Sequence, residues 1–360
     1  MNSLSQPLDS TAQEDVEPTG PSWPEVRPTA NVALDLMIQH QLTGAHEADH
    51  AFGRMEALAR QLACIQHSSH GLESLRLESP QLVVFAADHG VAVEGISEFS
   101  QESTVQRSLA LMTGKGPVCS LAEMHGFDIT LVDAGVASHI LIPPDTEIAH
   151  PLLLRKIGYG TRNMVLAPAM SIAQARSAIE AGMDVVRHLP GNVLALSNIG
   201  AGGNASASQL LSRLCGVPLA DACGSEQAQD EALMKLMLEK LFAAASRHRK
   251  ASAPLDVLAA MGGFEIAMMC GAMIQAASEQ RIVLVDGFVS SSAALIARSL
   301  LPAVADYLVF AHRAADPGHR LMLIHLQAQP LLDMELKTGQ GVGTLLAWPL
   351  LLAAKRLLER

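Results

Sequence analysis

Apolar residues recur at spacings of three and four from Val32 to about Ile65, in "ALDLMIQHQL" and "FGRMEALARQLACI", and this predicts helices. The pattern then changes to short, unbroken apolar runs. "PQLVVFAADHG" stops abruptly at Asp88-His89-Gly90, and similar runs recur in "DITLVDAGV" (128–136), "GNVLALSNIGAGGNAS" (191–206), "RIVLVDGFVSS" (281–291) and "ADYLVFAHRAADPGH" (305–319). Each reads as a buried strand with polar residues at its C-terminal end. Helical periodicity separates them at 171–186, 230–249 and 264–280.

Apolar strands alternating with helices predict an α/β fold with a mainly parallel, Rossmann-like sheet. In such sheets ligands bind outside the carboxyl ends of the strands, where every polar cluster above is expected. The segments predict an N-terminal tail (1–31), N-terminal helices (32–80), an α/β nucleotide-binding domain (81–335), and a loop with a C-terminal helix (336–360). The two flanks lack strands and are expected to pack together as a small helical subdomain.

Composition narrows the function classes. Only 3% of residues are aromatic and the net charge is −11, which argues against nucleic acid and anionic membranes as partners. Cys64, Cys119, Cys215, Cys223 and Cys270 are scattered, with no CxxC pair, so reduced thiols are expected and a metal site is not. The first 26 residues have neither the basic start nor the apolar core of a signal peptide, so the cytoplasm is the expected compartment.

"SNIGAGGNASAS" (197–208) follows a strand and opens a helix, an arrangement that suits an anion, although neither GxGxxG nor the P-loop pattern fits. Gly200, Gly202, Gly203, Asn204 and Ser206 are the candidates there; a ligand-free strand–helix turn is the alternative. Asp88 and His89 read as a pair that fixes its loop. His312, Asp316 and His319 lack the spacing of a zinc site. Gly262 and Gly263 precede a helix with Glu265 in its first turn, where an acid is favoured by the dipole alone. Asp286 and the hydroxyl run that includes Ser291 cap a helix or touch a ligand. "KTGQGVGTLLAWPLL" (337–351) presents Gln340 between two glycines at a helix start.

Six ordered segments resemble the nicotinate-nucleotide–dimethylbenzimidazole phosphoribosyltransferases of cobalamin nucleotide-loop assembly, from about residue 32 to the C-terminus. They are "FAADHGVAVEGIS", "IGYGTRNMVLAPAMS", "MGGFEIAMMCGAM", "VLVDGFVSSSAAL", "AHRAADPGH" and "PLLDMELKTGQGVGTLLAWPLL". The resemblance implies a homodimer without metal or organic cofactor. It also implies transfer of the ribose phosphate of nicotinate mononucleotide to 5,6-dimethylbenzimidazole, with inversion at the anomeric carbon.

By resemblance, Asn198, Gly200, Gly202, Gly203, Asn204, Ser206, Lys235, Gly262, Gly263, Asp286 and Ser291 surround the nucleotide and its phosphate. Asp88, His89, Ser97, Gln106, His312, Asp316 and His319 line the base pocket. Two positions depart from the family: its general-base Glu is Gln340 here, and a Glu of its phosphate loop is Asn198. An amide keeps shape and hydrogen bonding but takes up no proton, and loss of a general base costs about 10²–10⁴ in rate. Three readings stay open: slow catalysis with Gln340 orienting the azole, another base with the proton passing to Asp316 or Glu265, or a silent binding subunit that pairs with an active paralogue.

Overall fold

A computed structural model describes residues 23–43, 52–70, 75–224 and 230–359. Residues 1–22 of the expected tail lie outside the described residues. Residues 23–31 lack regular structure yet are tied to the body: the Tyr307 hydroxyl donates to the Arg27 carbonyl at 2.8 Å, and the Thr29 N–H donates to Asp306 at 2.9 Å.

Helices α1 (Val32–Thr43) and α2 (Arg54–His70) precede β1 (Gln81–Ala87), a 3-10 turn (Gly90–Glu94), α3 (Gln101–Met112), α4 (Pro117–His125), β2 (Asp128–Gly135) and β3 (Leu152–Leu154). Then come α5 (Ile172–Arg187), β4 (Val193–Ile199), α6 (Gly203–Cys215), α7 (Leu219–Cys223), α8 (Glu231–Arg247), α9 (Pro254–Met261), α10 (Phe264–Ser278), β5 (Ile282–Val285) and α11 (Phe288–Leu300). The last elements are β6 (Leu308–Phe310), β7 (His312–Ala314), α12 (Pro317–Leu326), β8 (Leu332–Leu336) and α13 (Val342–Leu358).

The first six strands form one sheet in the order β3-β2-β1-β4-β5-β6, and every pairing is parallel. All seven residues of β1 are buried, as is β2 beyond Asp128. A strand covered on both faces has no solvent side to reserve for polar residues, so its sequence is a continuous apolar run. All five strands expected from such runs are present.

The run at 305–319 divides, however. After β6 the chain starts β7, which pairs with β8 in a separate two-stranded sheet. That small sheet carries residues 337–341 back to the main sheet's edge.

Packing is closest between α5 and α10. A Cβ at Gly182 would overlap the Met268 carbonyl, and one at Gly271 would overlap that of Ile179. α10, buried from Phe264 to Ala277, lies against β1, β2, β4 and β5. α13 packs on α1, α2 and α4, and its Trp348 ring meets Phe127 edge-on at 5.0 Å. Among the described residues no helix is long and apolar enough to cross a membrane.

Candidate active site

Because all six strands are parallel, their C-terminal ends share one edge. From β1 the chain moves outward to β2 and β3, and it then returns to β1's other side as β4. The ends of β1 and β4 therefore flank the point where the winding reverses, which is where parallel α/β sheets bind their ligands.

Asp88, directly after β1, is a buried hub at this point. Its carboxylate accepts from the Thr104 hydroxyl at 2.6 Å, the Ala201 N–H at 3.1 Å and the Ala137 N–H at 2.8 Å. These partners come from α3 and from the chain after β4 and β2, so one carboxylate ties three loops. Burial pushes its carboxyl above the usual range despite these bonds. His89 Nδ1 lies 2.8 Å from Ser206 Oγ, and its Nε2 lies 2.6 Å from Glu265 Oε1. A Cβ at Gly263 would overlap both the His89 ring and the Glu265 carboxylate, which explains glycine there.

Beyond β4 the chain turns through Gly202, with φ +84°, into α6. The Gly202 N–H donates to Ser97 Oγ at 2.9 Å, and the N–H groups of Gly203, Asn204 and Ala205 have no partner among the described residues. Such a helix start favours an anion. The Asn198 amide nitrogen is 3.7 Å from where a Cβ on Gly203 would sit, so this side chain faces the helix start. Asn204 donates to Asp316 at 2.8 Å, and burial raises the Asp316 carboxyl.

Asp286, after β5, is a second hub. It accepts from the Ser197 hydroxyl at 2.7 Å, the Gly341 N–H at 3.0 Å and His312 Nε2 at 3.2 Å. Burial pulls the His312 pKa down, but Asp286 more than offsets this, and the net shift is upward. His312 Nδ1 is buried without a partner among the described residues. A Cβ at Gly343 would overlap the His312 ring, so the start of α13 lies directly on it.

His319 Nδ1 accepts from the Ala314 N–H at 2.9 Å, and its Nε2 lies 2.9 Å from Ser291 Oγ. Burial, with His312 adding to it, pushes its pKa down to about 3. Gln340 is half-buried, with φ +65°, a conformation uncommon for a residue other than glycine. The anchored Gly341 N–H and the Thr344 hydroxyl on the Gly341 carbonyl, at 2.7 Å, hold this turn.

The structure therefore gathers most of the expected residues along one edge. Gln106 and Lys235 are exposed on α3 and α8, and neither side chain has a partner among the described residues. The α8 lysine that reaches the loops of this edge is Lys240, 3.1 Å from Glu94, which also accepts from Asn163. Thr104 and Ser197 were not candidates in the sequence, because their roles exist only through partners distant in the chain. A cavity of about 290 Å³ lined by Glu25, Arg27, Ala277, Ser278, Gln280 and Tyr307 lies at the opposite edge and shares no residue with this cluster. Among the described residues no group of three or more His, Cys, Asp or Glu could hold a metal ion.

A family model described as "Phosphoribosyltransferase" matches residues 28–360. The nicotinate-nucleotide–dimethylbenzimidazole phosphoribosyltransferase of Variovorax paradoxus is 41% identical over 336 residues, covering 93% of each chain. The chain belongs to this family.

The protein of the same name from Ralstonia nicotianae is 42% identical over 308 residues, covering 84% of each chain. The crystal structure of the Thermus thermophilus phosphoribosyltransferase of that name superposes with a TM-score of 0.83 at 30% identity, covering 91% of this chain and 96% of that one. Membership agrees with the six-stranded parallel sheet seen here.

Proposed function

We propose that the chain transfers the phosphoribosyl group of nicotinate mononucleotide to 5,6-dimethylbenzimidazole or a related base, giving α-ribazole phosphate and nicotinate. The bond from the anomeric carbon to the pyridinium nitrogen breaks and its electron pair goes to nicotinate. An azole nitrogen attacks the opposite face, and the azole then loses its N–H proton. A cationic leaving group needs little acid help, so the protein's work is positioning and electrostatics.

The observation that carries this reading is the unclaimed N–H row of Gly203, Asn204 and Ala205 at the winding reversal, with the Gln340 turn anchored at the same edge. The row suits the phosphate, with Asn198, Ser206 and the glycines around it. Asp88, Ser97, His312 and His319 shape the base's side by holding the loops. Gln340 orients the azole N–H, and Asp316 is a partly exposed carboxylate at this edge that can take the proton. The chain acts in the cytoplasm as a homodimer, and α1, α2 and α13 form a helical subdomain beside the site.

The missing acid at Gln340 favours one further reading: a silent ligand-binding subunit, paired with a catalytically complete paralogue. The deciding assay mixes nicotinate mononucleotide with dimethylbenzimidazole and follows both products chromatographically, for wild type and Gln340→Glu. Turnover by wild type eliminates the silent subunit. A silent wild type rescued by Gln340→Glu means that the site is intact and lacks only its base, which favours the silent subunit, and two silent proteins mean that the phosphate loop or the substrate has changed too.

A further inference from the structure

Ser206, His89 and Glu265 form a buried chain, of which the proposed reaction places Ser206 beside the phosphate and gives His89 and Glu265 no task. Each is at most 1% exposed, and the contacts along the chain are 2.8 and 2.6 Å. The second Glu265 oxygen has no partner among the described residues. Burying a carboxylate this incompletely satisfied is costly, and an amide at position 265 would orient a neutral ring at far lower cost. The carboxylate therefore implies a charge to stabilise.

The protonation state of His89 decides where the Ser206 hydrogen points. Glu265 needs a donor, so Nε2 carries a proton in either state. In a neutral ring Nδ1 has only a lone pair, and the Ser206 hydroxyl spends its hydrogen on it. In an imidazolium Nδ1–H donates instead, the Ser206 oxygen accepts, and the hydroxyl hydrogen turns away from the ring. Ser206 lies in the first turn of α6, beside the unclaimed N–H groups of Gly203, Asn204 and Ala205.

We infer that Glu265 holds His89 as an imidazolium and that His89, through Ser206, directs a hydroxyl donor and a buried positive charge at the phosphate of the bound nucleotide. This rests on the phosphoribosyl reading above. Ser206 touches the ligand, while His89 and Glu265 are positioning residues. The charged groups facing His89 are Glu265 on α10 and the preceding Asp88; from α6 it meets the Ser206 hydroxyl. Burial lowers the His89 pKa, but the two carboxylates outweigh it and the net shift is upward.

The test is calorimetric titration of the full chain with nicotinate mononucleotide and with nicotinate riboside, which lacks the phosphate, at about pH 6 and about pH 9, on either side of a histidine's usual range. Wild type should prefer the nucleotide, and any fall in that preference should come above a histidine's usual range, where an upward-shifted His89 loses its proton. Ser206→Ala, a small change at a helix start, should lose about tenfold in nucleotide affinity with riboside binding unchanged and little remaining pH dependence. His89→Gln should do the same. Ionisation of the phosphate itself is common to all the proteins and cancels in their ratios. A Ser206→Ala protein that keeps the wild-type affinity and pH response overturns the inference, as does equal loss for both ligands. A wild type that binds the riboside but not the nucleotide, or neither, overturns the phosphoribosyl reading and this inference with it.

Discussion

Acid should loosen the start of α12 through His319. The ring is fully buried, its Nδ1 accepts from Ala314 N–H and its Nε2 meets Ser291, so it is held neutral with the proton on Nε2. Its folded pKa is about 3, whereas an unfolded chain returns it to about 6.5. Between those values the unfolded state binds a proton that the folded state refuses, so stability falls as pH drops below about 6.5. The loss is about 1.4 kcal/mol per pH unit, or about 2 kcal/mol between about pH 7.5 and about pH 5. Against a total of about 5–15 kcal/mol, that is readily measured. His319→Asn keeps an oxygen for the Ala314 N–H but cannot titrate. Urea unfolding of both proteins at both pH values isolates the effect, because His89, His312 and every other ionisable group are shared. The variant should start less stable but lose about 2 kcal/mol less on acidification. Equal losses would refute the assignment of His319 as the buried neutral ring.

Two glycine substitutions test packing. Gly343→Ala should destabilise by roughly 1–2 kcal/mol in urea unfolding, although alanine is the better helix former, because its Cβ meets the His312 ring held by Asp286; turnover should fall with it. Gly271→Ala forces a methyl against the Ile179 carbonyl and should cost about 3 kcal/mol, whereas Gly339→Ala, which meets nothing within 4 Å, should stay within about 0.5 kcal/mol of wild type. Similar losses at Gly271 and Gly339 would contradict the close α5–α10 contact.

The interior strands were legible because a parallel strand covered on both faces shows itself as an apolar run. β3 and β7 were not: each is three residues long, β3 is only partly buried, and β7 is His312-Arg313-Ala314. β8, "LDMEL", is mostly exposed and gives no apolar run. The placement of polar residues at strand ends could be read in advance, since it follows from chain direction alone. Their pairings could not, because His89 meets partners 117 and 176 residues away.

The central position of β1 also governs how the chain reaches this state. Its run "LVVFAA" carries no charge and no proline, the kind of segment that self-associates when exposed. Its neighbour β4 is translated roughly a hundred residues later. At about 5–20 residues per second, β1 waits about 5–20 seconds with one side unpaired. The same run that makes the sheet's centre dry is thus the segment most exposed to aggregation during synthesis. Yield in a cell will depend on how that interval is shielded as much as on the stability of the finished fold.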